Sequence, residues 1–517
     1  MRIGVDVGGT NTDAVLMDGD LVLASRKMPT TANVSDGIEA AIGAILEETG
    51  TTGDAIDCVM IGTTHFTNAF VQAKGLSQVF ALRIGAPAGR GIPPFSTWPD
   101  AMKNAVFGGF AMIGGGYEFD GRLIAPLDEA AITAAAEEIK AKGIEQVAIA
   151  GIFSQLNAEQ EIRAAELIKM VVPSASISLS SQLGRVGLLE RENAAIMNAS
   201  LRALADHVAD AFGRALESLG ITAPFFVSQN DGTLMPTSLL RQYPVLTFAA
   251  GPTNSLRGAA WLTGLKNAIV VDIGGTTTDV GVLVNGFPRQ SSVHVDVGGV
   301  RTNFRMPDIL SIGLGGGSRI RADGGKVTVG PDSVAFRLLE EAKIFGGQTL
   351  TASDIAVASG NADFGDKSLV ETLDPGLVFA AQDAIHRLAE DGIDRMKTSK
   401  DDIPMILVGG GHVLISRPLE GVSEAHAPDH AGVANAVGAA IGQISGEVDR
   451  IYHIAEDTRD EALQDAKTRA SEAAIAAGAN PDTIEIVNLE AVPLQYLPGG
   501  ATRVVCRAVG DLVMEKA

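Results

Sequence analysis

The sequence predicts an α/β protein of two lobes, each built around a copy of one glycine-rich hairpin. Three observations carry this. Residues 5–13 read Val-Asp-Val-Gly-Gly-Thr-Asn-Thr-Asp, and residues 271–279 read Val-Asp-Ile-Gly-Gly-Thr-Thr-Thr-Asp, 266 positions further on. Each copy runs into an apolar stretch, Ala14-Val15-Leu16-Met17 after the first and Val280-Gly281-Val282-Leu283-Val284 after the second. Elsewhere, apolar runs of strand length alternate with segments of helical period, the order of a mixed or parallel sheet.

Both copies read as two buried strands joined by a Gly-Gly-Thr turn. Glycine lets backbone approach a phosphate closely, and the turn offers N–H groups and threonine hydroxyls as donors. The leading acids, Asp6 and Asp272, suit the water shell of Mg²⁺, which keeps several waters and touches one or two carboxylates. Thr10, Asn11 and Thr12 in one turn, and Thr276, Thr277 and Thr278 in the other, are candidate donors to phosphate oxygens beside Gly8, Gly9, Gly274 and Gly275. Asp13 and Asp279 are candidate acceptors, anchors or turn caps.

This duplicated hairpin resembles the phosphate-1 and phosphate-2 elements of the actin, sugar kinase and Hsp70 ATPase superfamily. The resemblance implies a two-lobed, duplicated ribonuclease H-like fold with ATP and Mg²⁺ in the cleft. Gly409, Gly410 and Gly411, after the apolar run Ile403–Val408, resemble the adenosine-contact loop of that superfamily.

Composition bounds the rest. The 517 residues allow two to four domains. Sixty glycines, well above average usage, fit many tight turns and a glycine-lined cleft. The formal charge is 40 − 62 = −22, which argues against general binding of nucleic acid or an anionic membrane surface. No apolar stretch approaches the roughly 18 residues of a membrane span. Cys58 and Cys506 have no CxxC partner, and strand-like residues begin at Ile3. The expectation is a cytoplasmic chain with free thiols.

Along the chain, 21–26 reads as a third strand, 35–48 as a helix, and 58–62 and 79–84 as strands. Residues 85–116, rich in Gly and Pro, read as a long loop or insertion. A helix over 129–142, a strand over 147–153, a helix over 158–170 and a strand over 176–179 follow. Residues 190–219 read as one or two long helices crossing toward the second lobe. After strand 224–228 and helix 256–262, the second hairpin occupies 268–285. Residues 429–444 read as a helix lined with Gly and Ala, suited to close crossing of two helices, one per lobe. The tail reads as helix 457–477 and strands 484–492 and 503–509, a small appended α+β unit. The expected domains are 1–185, 186–450 and 451–517.

The resemblance narrows further. The opening motif, Ile61-Gly62-Thr63-Thr64-His65-Phe66-Thr67-Asn68-Ala69, and the tract from Glu190-Arg191-Glu192-Asn193 to Asn198-Ala199 come first. Gln229-Asn230-Asp231-Gly232-Thr233-Leu234-Met235, Ala249-Ala250-Gly251-Pro252, the second hairpin, and Asp308-Ile309 to Gly315-Gly316-Gly317-Ser318 follow in order. Together they resemble the A subunit of the hydantoinase/oxoprolinase family. The family implies ATP-coupled opening of a cyclic amide such as hydantoin, 5-oxoproline or a lactam, with a separate B-type partner and an oligomeric assembly. A small-molecule kinase, an ATP-dependent carboxylase subunit and a nucleotide-gated reactivase are the alternatives.

On the substrate side, Thr63, Thr64, His65 and Asn68 follow a strand end that suits a cleft-facing position. Glu192, Asn198, Gly315 and Gly316 lie in the family-like tracts. His65 and Glu192 are the candidate general bases, which must reach an attacking water. A loop-built metal site from His294, His412, His426 or His430 stays open, with turn or exposed histidines as the alternative.

Overall fold

Strand Arg2–Val7 pairs antiparallel with Asn11–Asp18, setting Asp6 opposite Asp13. Strand Ala268–Ile273 pairs with Thr278–Val284 in the same way, setting Asp272 opposite Asp279. The turns match as well: Gly8 N–H donates to the Asn11 carbonyl at 3.0 Å, and Gly274 N–H to the Thr277 carbonyl at 2.9 Å. The repeated phrase therefore makes a repeated structure. The structure is a computed structural model. It describes residues 1–9, 11–30, 34–184, 187–291, 294–304, 306–323, 326–455, 458–494 and 500–513.

The first hairpin lies in a nine-stranded sheet. Arg2–Val7, Cys58–Thr63 and Phe225–Ser228 run parallel and side by side. Leu21–Pro29 forms one edge, while Thr233–Pro236, Gln443–His453, Ala501–Gly510 and Glu485–Pro493 extend the other. A core of Ile3, Val5, Ile42, Ile61 and Phe212 lies on one face. The second hairpin lies in a six-stranded sheet, where Ala268–Ile273 runs parallel to Ile403–Val408. Its own core gathers Ile269, Val271, Ile355 and Ile385. A third sheet, wholly parallel, orders Phe107–Gly114, Val79–Ala86, Gln146–Gly151 and Ser176–Leu179.

Two helices join the lobes. Ala250–Thr263 packs on the six-stranded sheet, and Ala434–Ala440 packs on the first hairpin. They cross at backbone contact. A Cβ on Gly258 would fall 1.9 Å from the Ala434 carbonyl oxygen, and one on Gly438 would fall 1.8 Å from that of Asn254. The small residues anticipated at this crossing are required by it.

Three expectations are corrected. Residues 85–116 are not one loop: they hold the short helix Asp100–Val106 and the edge strand Phe107–Gly114. Glycines hid that strand, yet a Cβ on Gly108 would lie only 3.0 Å from the Val79 carbonyl oxygen, so the strand needs them to close on its neighbour. Leu188–Ser218 is one helix, and it packs in the first core instead of crossing to the second lobe. The Gly/Ala helix stops at Ala440, because Gly442 must pass over Leu234 before Gln443 pairs with Thr233. The C-terminal α+β extension is present as Arg459–Ala476 with Glu485–Pro493 and Ala501–Gly510, and its strands continue the nine-stranded sheet.

Candidate nucleotide cleft

Antiparallel pairing places Asp6 and Asp13 side by side on one face, and the next strand places Lys27 opposite Asp13. Lys27 Nζ sits 2.5 Å from Asp13 Oδ1. Asn435, at the start of the Gly/Ala helix, donates to Asp6 Oδ2 at 3.1 Å and to Asp13 Oδ2 at 2.8 Å. Asn254, on the other crossing helix, donates to Asp6 Oδ1 at 3.3 Å. Its neighbour Ser255 faces Asp272 and draws that carboxyl down. Consecutive residues of one helix thus attend the leading acids of both hairpins.

Burial dominates the electrostatics. It pushes the Asp6 carboxyl up to about 6, helped by the Asp13 and Asp272 charges and opposed by the two asparagine amides. Burial raises Asp272 as well, and it pushes Asp279 up to about 6 against a hydrogen bond from the Ser311 hydroxyl. Desolvated carboxylates that repel across a cleft are the donor set a hydrated divalent cation neutralises. Asp6 and Asp272 fit Mg²⁺ on this ground.

The cleft has a volume of about 480 Å³. Gly8, Gly9 and Asn11 line it from the first turn, and Gly274, Gly275, Thr276 and Thr277 from the second. Gly409, Gly410 and Gly411 line it too. Gly409 adopts a left-handed φ of +81°, and a Cβ there would lie 2.3 Å from Asp272 Oδ1, so both its backbone and its surroundings require glycine. Gly316 lines the cleft, and its N–H donates to the Gly274 carbonyl at 3.0 Å. A Cβ on Gly315 would lie 2.6 Å from Thr276 N. These two glycines therefore buttress the second turn.

Several candidate residues have other duties. Thr12 is buried, with its hydroxyl against that of Thr30 at 3.2 Å, and the Thr278 hydroxyl donates to the Leu314 carbonyl at 2.7 Å. Both anchor their turns. Thr10 lies outside the described residues. Thr63 is buried and accepts from His65 N–H at 3.1 Å. Thr64 and Asn68 sit beside the first turn and bond to each other at 3.3 Å. The His65 ring packs edge-on against Phe66, and burial lowers its pKa, which favours the neutral form.

Glu192 is not brought to the cleft. It is buried in a two-point pair with Arg83, at 2.7 and 2.5 Å, which is a structural bond. Asn198 is buried as well, donating to the Ser178 hydroxyl at 3.0 Å and the Gln242 carbonyl at 2.9 Å. The four histidines do not gather: among the described residues no group of three metal-ligating side chains occurs. His412 bonds to the Gly409 carbonyl, and His426 lies by Glu424.

Lys27, Asn254, Ser255 and Asn435 were not singled out by the sequence. Nor were Phe345 and Phe364, which line the cleft as a stacked pair with ring centroids 6.4 Å apart. Asn254 and Ser255 follow the Ala-Ala-Gly-Pro tract after Thr253, which was the available signal. Nothing in the local pattern marks the two phenylalanines.

The chain is similar to known proteins in sequence and in fold. The caprolactamase subunit alpha of Pseudomonas jessenii is 28% identical over 381 residues, 69% of this chain and 54% of its own length. The acetophenone carboxylase gamma subunit of Aromatoleum aromaticum is 26% identical over 69% of this chain and 53% of its own. The chain thus spans about half the length of these relatives. A crystal structure of the ATP-dependent caprolactamase from Pseudomonas jessenii superposes with a TM-score of 0.78 at 21% identity, over 99% of this chain and 88% of that one. A nucleotide-free acetone carboxylase structure gives 0.66 at 19% identity, with the same coverage of 99% and 88%. No described helix is long and apolar enough to cross a membrane. The hydantoinase/oxoprolinase N-terminal model matches residues 2–172 and the hydantoinase/oxoprolinase model residues 191–366, spanning both hairpins. With these two models together matching most of its length, the chain belongs to the hydantoinase/oxoprolinase family.

Proposed function

We propose that this chain is the nucleotide-using subunit of an ATP-dependent cyclic amidohydrolase, which opens a hydantoin-, 5-oxoproline- or lactam-type ring. The observation that carries this is the single cleft faced by both Gly-Gly turns, with Asp6 and Asp272 at their bases. Amides resist water because the carbonyl is deactivated and nitrogen leaves poorly. Transfer of the γ-phosphoryl group of ATP to the amide oxygen makes an imidate; water adds at its carbon and the C–N bond breaks with protonation of the nitrogen, giving a ring-opened acyl phosphate, and a second water at that carbon releases phosphate and the ring-opened acid.

The chain's share of this work is positioning and charge control. Gly8, Gly9, Gly274, Gly275, Thr276 and Thr277 cradle phosphate oxygens. Asn254 and Asn435 orient Asp6 and favour its ionised form. Asp6 and Asp272 would hold Mg²⁺, which supplies charge neutralisation when bound. Phe345 and Phe364, with Gly409, Gly410 and Gly411, offer a planar apolar seat for adenine. The curated relatives are named as subunits, which supports a B-type partner for completing the hydrolysis.

The test is phosphate release from ATP and Mg²⁺ against a panel of hydantoins, 5-oxoproline and lactams, with products analysed in parallel. Ring-opened product with stoichiometric phosphate supports the reading. A carboxylated product would move the chain to the carboxylase branch, to which the acetophenone carboxylase relative belongs. Phosphate retained on the product would make it a kinase.

A further inference from the structure

The two hairpins repeat their acids but not what faces the second acid. In the first, strand Leu21–Pro29 sets Lys27 opposite Asp13. In the second, strand Ile309–Ile312 sets Ser311 opposite Asp279. The same register position thus holds a cation on one side of the duplication and a hydroxyl on the other. Lys27 and Asp13 line the nucleotide cleft, whereas Ser311 and Asp279 do not.

Charge makes this asymmetry matter. Asp13 and Asp272 both line the cleft, so a polyphosphate enters a field that is already negative. Lys27 is the one cationic side chain among the described lining residues. Its charge is felt at Asp272 as well, which it draws down. The Lys27 side chain is 40% exposed and that of Asp13 only 5%, so the ammonium is open to the cleft while its carboxylate is shielded. Asn435 also holds Asp13, at 2.8 Å, so the acid keeps a partner when the lysine leaves. A lysine suits such a transfer: its charge is compact, its stem is flexible, and it meets phosphate as a point charge.

The position of the base decides which phosphate arrives. Phe345, Phe364 and Gly409–Gly411 belong to the second lobe, and Gly411 N–H donates to the Ile273 carbonyl at 2.7 Å, at the foot of the second turn. A nucleotide seated there passes its inner phosphates along the second turn. Its outermost phosphate reaches the first hairpin, where Lys27 stands.

We infer that Lys27 is the residue by which the cleft tells ATP from ADP: its ammonium moves from Asp13 onto the γ-phosphate when ATP enters, and stays on Asp13 when ADP does. This rests on the proposed nucleotide role of the cleft, and not on the identity of the ring.

The test is calorimetric titration of the full chain with β,γ-imido-ATP and with ADP, both with Mg²⁺. It compares the wild type with Lys27→Met, Lys27→Arg and the double variant Lys27→Met with Asp13→Asn. Lys27→Met is expected to weaken the triphosphate about ten-fold or more and ADP by less than about two-fold. Lys27→Arg, which keeps the charge, should restore most of the triphosphate affinity. The double variant removes both charges, and it should stay as weak for the triphosphate as Lys27→Met. Equal loss of both nucleotides would overturn the inference. So would recovery in the double variant, which would make Lys27 only the counter-charge of Asp13. Acetylation of the wild type, read by mass spectrometry, gives a second measurement that needs no variant to fold. β,γ-imido-ATP should protect Lys27 several-fold and ADP should not; equal protection would overturn the inference. The two readings fail separately. Selectivity through Lys27 with no ring opened removes the amidohydrolase reading alone. Ring opening with nucleotide selectivity untouched by Lys27→Met removes this one alone, and a wild type that binds neither nucleotide removes both.

Discussion

Asn435 holds Asp6 from 429 positions away in sequence, its Nδ2 lying 3.1 Å from Asp6 Oδ2. The same amide nitrogen lies 2.8 Å from Asp13 Oδ2, so one side chain bridges both acids of the first hairpin. Because its hydrogen bond favours the ionised carboxyl, Asn435→Leu is expected to raise the Asp6 pKa. The acid limb of the ATP turnover profile should move to higher pH, with a ten- to hundred-fold loss at pH 7. A profile that falls in amplitude without moving would contradict this role.

Asp6 titrates at about 6, so turnover that needs its carboxylate should fall off below about pH 6. Saturating Mg²⁺ should move that limb to lower pH, since a bound cation favours the ionised form. The comparison is a pH series of initial rates at low and high Mg²⁺.

The same burial has a stability consequence. The folded-state pKa of Asp6 lies above its ordinary 3.8, so between about pH 4 and 6 the folded chain binds more protons than the unfolded one. Stability contributed by this group therefore falls as pH rises through that window. Asp6→Asn removes the buried charge and should stabilise the fold at pH 7.5 by about 1–3 kcal/mol, a gain that vanishes near pH 4. ATP turnover should be lost in the same variant. Chemical denaturation at both pH values checks the first point, and lower stability at pH 7.5 would refute it.

The helix crossing leaves no room for a methyl group. Gly438→Ala places a carbon against the Asn254 carbonyl oxygen, 1.8 Å from its present position. A stability loss of about 3 kcal/mol is expected. Because the Asn254 side chain also holds Asp6, nucleotide affinity should fall with it. Wild-type stability and affinity in this variant would mean that the helices slide apart freely.

Phe345 and Phe364 should act on the base and not on the phosphates. Phe345→Ala and Phe364→Ala are each expected to weaken ATP and ADP about ten-fold, leaving inorganic triphosphate binding unchanged. Calorimetric titration with the three ligands separates these outcomes.

Which parts were legible in the sequence follows from the range of the forces involved. Both hairpins, the helix Glu129–Lys142 and the strands Ser176–Leu179 and Ile403–Val408 are fixed by local periodicity, and they appear where the pattern places them. Asp6 and Asp272 could be named because each is the first acid of a repeated phrase. Their supports could not. Lys27 meets Asp13 only through the register of the third strand, and Asn435 arrives from a helix whose pattern records only close packing. Glu192 misled because a buried carboxylate and a catalytic one look alike in sequence; only the structure shows Arg83 opposite it.

The most direct measurement follows the amide oxygen. The full chain, alone and with a B-type partner, is incubated with Mg²⁺, ATP and a ring substrate carrying ¹⁸O at its amide carbonyl, and the released phosphate is analysed by mass spectrometry. Attack by that oxygen on the γ-phosphorus predicts one ¹⁸O in each phosphate formed with ring-opened product. Ring opening that yields unlabelled phosphate would contradict phosphorylation of the amide.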